Sequence, residues 1–291
     1  MPNQKRCDLH MHTIHSDGTL TPTQLVRLAK ERGLSCIALT DHDTLSGVEE
    51  AQTEGHRAGI EVIAGVEISV KFEPGTMHIL GYFVDRNANG IREGLASIQE
   101  ARRTRNPMII ERLRALGINI SLEEVSAESG GDQVGRPHFA RVLIKKKYVK
   151  NFEEAFDQYL TKGAPAYVDK RKLTSREAIA MIEEAGGIAS LAHPKQLKLD
   201  SKPDRFEEVI EQLKQEGLGG LEVYSSCQSK DEAQRYLKTA ERLNLLVTGG
   251  SDFHGANRPE APLGWMGDGA MIPYETIDQM KQILLDRKIK R

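Results

Sequence analysis

Between Asp8 and Gly18 the chain reads DLHMHTIHSDG, which places His10, His12, His15 and Asp17 within eight residues behind a short apolar run. His10 and His12 are two apart. In an extended chain residues i and i+2 share a face, so both imidazoles can reach one ion. Asp17 adds a hard oxygen ligand beside the turn residue Gly18. An HxH pair by itself is as readily a chance surface pair, so the case for a metal rests on recurrence of the pattern.

It recurs. The apolar run SCIALT ends at Thr40-Asp41-His42-Asp43, IEVIAGVEIS carries Glu67, GIASLA delivers His193-Pro194, and LLVTGG runs into Ser251-Asp252-Phe253-His254. Asp252 and His254 repeat the i, i+2 spacing. His78 begins MHILGYFV, the return strand of a hairpin that turns at Glu73-Pro74-Gly75-Thr76. Plain pairing across that turn sets His78 opposite Lys71, about four residues from Glu67, so pairing alone does not join them. This set is too large for one ion. Nitrogen and oxygen ligands without thiolate suit Mn, Fe or Zn. Two or three such ions sharing a carboxylate can generate hydroxide near neutral pH and clamp phosphoryl oxygens, which is the chemistry of phosphoester hydrolysis.

The elements that must position these residues are legible in order. Thr21 caps a helix with Pro22 at its first position and Gly33 past its end. Further helices are expected over about 48–58, after the cap Thr174 and up to Gly186-Gly187, over 206–215, 231–243 and 275–285. Strand and helix alternate with short loops, which predicts parallel strands with right-handed crossovers and ligands gathered at the C-terminal face of an α/β barrel. From Ile91 the texture changes to a long helical pattern, broken or kinked at Pro107, and then short helical pieces to about Leu160. Residues 91–166 read as a small helical insert domain, with Ala166-Tyr167-Val168 as the return. The barrel then comprises residues 1–90 and 167–291.

A chain of 291 residues can bury a substantial core. Its net charge of −2 provides no general basic field, so long duplex nucleic acid is not an expected partner and any anion must be held locally. Cys7, Cys36 and Cys227 form no CxxC and read as reduced residues of a cytoplasmic protein. MPNQKRCDLH has no apolar leader core, and no run reaches bilayer length.

The motifs HxH (10–12), TDHD (40–43), a strand-end Glu (67), a lone His (78), AHP (192–194) and SDFH (251–254) together resemble the polymerase and histidinol phosphatase (PHP) family along nearly the whole chain. The resemblance implies a distorted (β/α)7 barrel and a trinuclear centre of divalent ions, with Mn the first expectation and Fe or Zn alternatives. It implies one metal on His10, His12, Glu67 and Asp252, a second on Glu67, His78 and His193, and a third on Asp17, His42 and His254. Glu67, Asp252 and His254 would then act at the reacting centre, with Asp17 and His42 also facing substrate. The insert, with GRPHFAR at 135–141 followed by GAPAYV, is similar to the RNase AM-like subgroup of nucleoside 3',5'-bisphosphate phosphatases and 5'-to-3' exoribonucleases. In place of the family's usual Gly after AHP stands Lys195, in the basic loop AHPKQLKLD.

Neighbouring residues carry alternatives. His15 could replace Asp17 at the third metal. Glu222 ends a strand and reads as a hydrogen-bonding residue, His56 as solvated, Trp265 as packing, and Asp41 and Asp43 as groups that orient the His42 imidazole. Arg102, Arg103 and Arg105 could simply solvate a helix, yet Arg102 and Arg105 face the same way. Arg136 and His138 flank Pro137 at a helix start, where backbone N–H groups favour anions. Arg102, Arg105, Arg136 and His138 are therefore the expected anchor for a second phosphate above the metals. The reading that follows is a phosphohydrolase that breaks the 3' ester of 5'-phosphorylated nucleotides or short RNA. The alternatives are a histidinol-phosphatase-like phosphomonoesterase and a non-enzymatic metal-binding accessory module.

Overall fold

Helices open where Ser or Thr is followed three residues later by Glu or Gln, because the two side chains satisfy backbone N–H groups reciprocally: Thr21 with Gln24, Ser121 with Glu124, Thr174 with Glu177 and Ser229 with Glu232. The computed structural model describes residues 5–130, 133–267 and 270–289. The first half runs β1 (Arg6–Asp8), α1 (Pro22–Glu31), β2 (Cys36–Leu39), α2 (Val48–Ala58), β3 (Glu61–Val70), β4 (Met77–Tyr82), α3 (Asn89–Ala115), α4 (Leu122–Ser129), α5 (Arg136–Lys145) and α6 (Phe152–Ala155), extended by a π-helical turn (Phe156–Leu160). The second half runs α7 (Ser175–Glu184), β5 (Ile188–Leu191), α8 (Pro203–Gln215), β6 (Gly220–Ser225), α9 (Lys230–Arg242), β7 (Leu246–Gly250), β8 (Ile272–Pro273) and α10 (Glu275–Ile289).

The strands form one sheet in the order β7-β6-β5-β4-β3-β2-β1-β8. β1, β2 and β3 are parallel, as are β5, β6 and β7, while β4 is antiparallel to both of its neighbours. β4 is the exception to the parallel arrangement: it is the return strand of the expected hairpin, with no helix between it and β3. The sheet curls until β7 meets β1. Leu9 N–H donates to Gly249 O at 3.2 Å, Asp252 N–H to His10 O at 2.9 Å, and His12 N–H to Phe253 O at 2.9 Å. Gly250 permits this closure, since a Cβ there would lie 2.3 Å from His10 Cβ. The result is the expected distorted α/β barrel, with two-residue β8 added at its edge. β2 (CIAL) and β5 (IASL) are buried on both faces, as strands between a barrel interior and covering helices must be.

Helix α3 continues through Pro107, so of the expected break or kink the break does not occur. The carbonyl deprived of its donor there is that of Arg103, and both residues are exposed, so water can satisfy it. Packing divides along this helix. Ile91, Leu95 and Ile98 join the barrel core with Ile179 and Ile182 of α7. Ile109, Ile110 and Leu113 join a separate cluster with Val125, Phe139 and Leu143, and Ala166 and Val168 belong to that cluster as well. Residues 166–168 therefore pack with the helical layer. No helix of the described residues is long and apolar enough to cross a membrane.

Candidate metal centre

Most ligand-type side chains are delivered by strand ends that the barrel closure gathers to one point, and Asp17 by the loop that follows β1. Beyond β1, Asp8 accepts from the backbone N–H groups of His10 (3.3 Å), Ser251 (2.9 Å) and Gly264 (2.8 Å), which ties the ends of β1 and β7 together. Asp41 accepts from Thr13 N (2.7 Å), Thr13 Oγ1 (2.6 Å) and Ser16 Oγ (2.6 Å) and so shapes the loop that presents Asp17. Gly18 closes that loop where a Cβ would meet His12 O at 2.4 Å. The hairpin sets His78 opposite Ser69, two residues from Glu67 on the same face, rather than opposite Lys71. That shift of register is what brings His78 to the carboxylate.

Glu67, fully buried on β3, stands at the centre. Its Oε2 lies 3.3 Å from His10 Nε2, 3.3 Å from His12 Nε2 and 2.9 Å from His42 Nδ1. Its Oε1 lies 2.8 Å from His78 Nδ1 and 2.9 Å from His193 Nε2. One carboxylate thus divides five imidazoles between two oxygens. Asp252 Oδ1 closes the first group at 3.4 Å from His10 Nε2 and 3.2 Å from His12 Nε2. Asp17 faces His254 Nε2 at 3.3 Å and His42 Nε2 at 3.8 Å. His15 is absent from this group and its ring lies against Gly47, so the structure gathers Asp17 and not His15 with His42 and His254.

The unsatisfied atoms of the donor set fit divalent ions. His10 Nε2, His12 Nε2, His42 Nδ1, Asp17 Oδ1 and Glu67 Oε2 are buried without a hydrogen-bond partner, and all of them point into the cluster. Buried polar atoms are rarely left so, and a set converging on common points fits cations. Two of the nitrogens that face away from the cluster are held. His10 Nδ1 meets Glu222 Oε1 at 2.9 Å and His254 Nδ1 meets Asp252 O at 2.8 Å, so each Nε2 is left with its lone pair toward the cluster. Glu222 Oε2 also accepts from His193 N at 2.6 Å, the hydrogen-bonding role expected of it. Burial works against charge here, yet the surrounding imidazoles hold Asp17, Glu67 and Asp252 well below the usual carboxylate range. Burial likewise opposes a charged His12, and the carboxylates of Asp252 and Glu67 outweigh it and push the ring up to about 10. The field of the cluster attracts cations. Asp43, His193 and Asp252, three of the seven described non-glycine residues with positive φ, have φ of 54°, 24° and 54°, so this site carries part of the chain's backbone strain.

A cavity of about 260 Å³ joins Asp17, His42 and His78 to Arg102, Arg105, Arg136, Lys170 and Lys172. Three of the four expected anchor residues line it. His138 does not; it is buried, and its Nδ1 accepts from Gly135 N–H at 2.8 Å, which satisfies the first turn of α5 instead of facing a ligand. Nor do Asp41 and Asp43 orient His42. Asp43 pairs with Arg102 and, at 3.1 Å, with Lys170, because α3 and the chain leaving the insert converge on it. Arg105 is 5% exposed and donates to the neutral Asn106 Oδ1 at 2.7 Å. Burial, then repulsion by Arg102 and Arg136, pushes its guanidinium down to about 9. Burial, then Arg102, pushes Lys170 down to about 7 despite Asp43. Arg136 donates to Leu160 O at 3.0 Å and lies over the Phe156 and Tyr167 rings at 5.9 and 5.4 Å. Sequence reasoning missed Lys170 and Lys172. The run DKRK at 169–172 was the available signal. It missed Arg258 too, which pairs with Asp252 Oδ2 and leaves Oδ1 for the imidazoles.

Comparison with known proteins places these features in context. The PHP domain family model matches residues 8–223. A 5'-3' exoribonuclease of Haemophilus influenzae is 36% identical over 262 residues, 90% of this chain and 92% of its own length. A 3',5'-nucleoside bisphosphate phosphatase of Chromobacterium violaceum is 34% identical over 269 residues, 90% of this chain and 91% of its own. Among solved structures, an amidohydrolase from Chromobacterium violaceum with bound sulfate and no metal superposes with a TM-score of 0.85 at 32% identity, covering 95% of this chain and 96% of that one.

Proposed function

The chain belongs to the PHP domain family and is a metal-dependent phosphoesterase, and from that premise we propose that it breaks the ester at the 3' oxygen of 5'-phosphorylated nucleotides. It acts as a nucleoside 3',5'-bisphosphate 3'-phosphatase, as a 5'-3' exoribonuclease on short RNA, or as both, since each reaction cleaves at the same oxygen. The observation that carries this reading is the single cavity in which a cation-attracting cluster stands beside Arg102, Arg105, Arg136, Lys170 and Lys172, of which Arg102 and Lys170 pair with Asp43. A substrate with two anionic ends fits such a divided site.

Two to three divalent ions, Mn first and Fe or Zn as alternatives, would be held by His10, His12, Glu67 and Asp252, by Glu67, His78 and His193, and by Asp17, His42 and His254. When bound, they supply positive charge to the phosphoryl oxygens and lower the pKa of water. The chain's own residues do the rest. Glu222 and the Asp252 carbonyl fix the ring orientations of His10 and His254. Arg258 holds Asp252 from behind. The five cations fix the 5'-phosphate, and Arg is suited to bidentate contact with it. Binding energy taken at that remote end positions the 3' ester.

The test is a hydrolysis assay with added Mn, read by chromatography of the products, on a nucleoside 3',5'-bisphosphate, its two monophosphates, histidinol phosphate and a 5'-phosphorylated short RNA, which would yield inorganic phosphate from the bisphosphate and nucleoside 5'-monophosphates from the RNA. The bisphosphate and the RNA are expected to be the preferred substrates, with the 5'-phosphate retained on the product. Preference for histidinol phosphate, or release of the 5'-phosphate first, would overturn the assignment.

A further inference from the structure

The cavity that joins the imidazoles to the cations continues into a second groove, of about 450 Å³. The two share Thr76, Arg136, Phe156, Lys170 and Lys172, and the groove is lined by no ligand-type residue of the imidazole and carboxylate cluster. The order along the surface is therefore cluster, then cations, then groove. In a nucleotide with its 3' ester at the cluster and its 5'-phosphate at the cations, the base branches sideways from C1', and the line from O3' through the 5'-phosphate continues into the 5' substituent. RNA downstream of the scissile bond would leave from the other end.

Charge points the same way. Five cationic side chains face the one carboxylate of Asp43, and with Lys170 pushed down to about 7 they leave between three and four positive charges beside the cluster near neutral pH, whereas a 5'-monophosphate brings about −1.5 to −2. The groove adds more positive charge. Lys162 is engaged by Glu73, and Asp169 accepts from Tyr167 Oη and from Lys170 N–H, while Lys71 and Lys198 are exposed along the wall.

We propose that this groove receives a 5'-diphosphate, so that the protein takes 3'-phosphorylated nucleosides whose 5' end carries a pyrophosphate linkage and removes their 3'-phosphate with that linkage left whole. The proposal rests on the reading that the 5'-phosphate sits at the cation cluster. In the reaction the oxygen of water bonds to the 3' phosphorus, the P–O3' bond breaks with its electron pair on O3', and O3' takes up a proton. The products are inorganic phosphate and a nucleoside 5'-diphosphate. The P–O–P bond survives because it lies beyond the cations, away from the cluster.

The experiment compares a nucleoside 3'-phosphate 5'-diphosphate with the 3',5'-bisphosphate, using Mn-loaded full-length protein and chromatography of the products. The kcat/KM for the 5'-diphosphate should be at least a third of that for the bisphosphate, with nucleoside 5'-diphosphate as product. The double variant Lys71→Gln/Lys198→Gln should lose about tenfold or more on the 5'-diphosphate and less than about threefold on the bisphosphate, as expected when charge-assisted contacts to one phosphate are removed. A smaller ratio in the unaltered protein, any other nucleotide product, or a variant effect outside those bounds overturns the proposal. If the bisphosphate itself is not hydrolysed while another phosphoester is, the underlying reading of the site has failed, and the proposal falls with it.

Discussion

Glu67 offers one oxygen to three imidazoles and the other to two, so no other residue of the cluster is as widely shared. Glu67→Gln keeps its size but removes the charge and replaces one oxygen by a donor. It should lower kcat by about a hundred- to a thousandfold, as for loss of a major electrostatic group, and reduce bound metal more than any single His→Ala change in the cluster. Metal content and turnover measured on the same samples check this, and unchanged metal binding would refute the sharing. Asp17→Ala should lose activity on the same scale, while His15→Ala, whose ring lies against Gly47, should stay within about threefold. Lys170 makes a pH prediction. Its folded pKa of about 7 lies below the unfolded 10.5, with Asp43 facing it and Arg102 and Arg105 opposing its charge. Between those values the unfolded chain binds more protons, so stability rises with pH, and the cost of burying the charged amine is felt in full below about 7. Removing that amine removes the slope: the stability of the ligand-free protein relative to Lys170→Met should rise between pH 6 and 9 in urea titrations, and a flat difference would contradict the assignment. The ligand-type residues were legible because rare residue types followed apolar runs again and again. Lys170 and Lys172 were not, because lysines in a charged run look solvated until the fold returns them beside Arg102, nearly seventy residues earlier in the chain.

Apart from Asp17, which a loop after β1 presents, strand ends set the positions of the cluster, so small changes of register matter. Helix starts and buried strands could be read directly, since capping pairs and apolar runs act locally. The β3–β4 hairpin could not, because a different turn length changes which residues face each other, and only the observed pairing of Ser69 with His78 puts that ring beside Glu67. The course of α3 through Pro107 was equally hidden. A proline reports the hydrogen bond it removes, and only the fold shows that the freed carbonyl is on the wet side. At this scale the closure of β7 on β1 is the element to test. Gly250→Val would force a side chain into the His10 backbone, where even a Cβ has 2.3 Å. The substitution should cost about 1–3 kcal/mol or more in denaturant unfolding and should weaken metal binding, because His10 and Asp252 flank the closure. Retention of full stability would show that the two strand ends do not depend on this contact.

The molecule as a whole is nearly neutral at −2, yet it concentrates five cationic side chains on one wall of a cavity and the imidazole and carboxylate cluster on the other. Overall charge therefore says little about what binds, and local placement says most of it. The barrel supplies the cluster, and the helical layer with the chain leaving it supplies the cations, so the two ends of a bisphosphate would be read by different parts of the fold. The measurement that tests this division most directly is the ratio of kcat/KM for a nucleoside 3',5'-bisphosphate to that for the nucleoside 3'-monophosphate, in the unaltered protein and in Arg136→Ala. The unaltered protein should favour the bisphosphate by about a hundredfold or more. Arg136→Ala should cut kcat/KM on the bisphosphate by about ten- to a thousandfold, from a charged hydrogen bond of roughly 1.5–3 kcal/mol together with misplacement of the ester, and leave the monophosphate nearly unchanged. An equal fall on both substrates would place Arg136 in the reacting centre or the fold, and no fall on either would contradict a 5'-phosphate anchor on this wall.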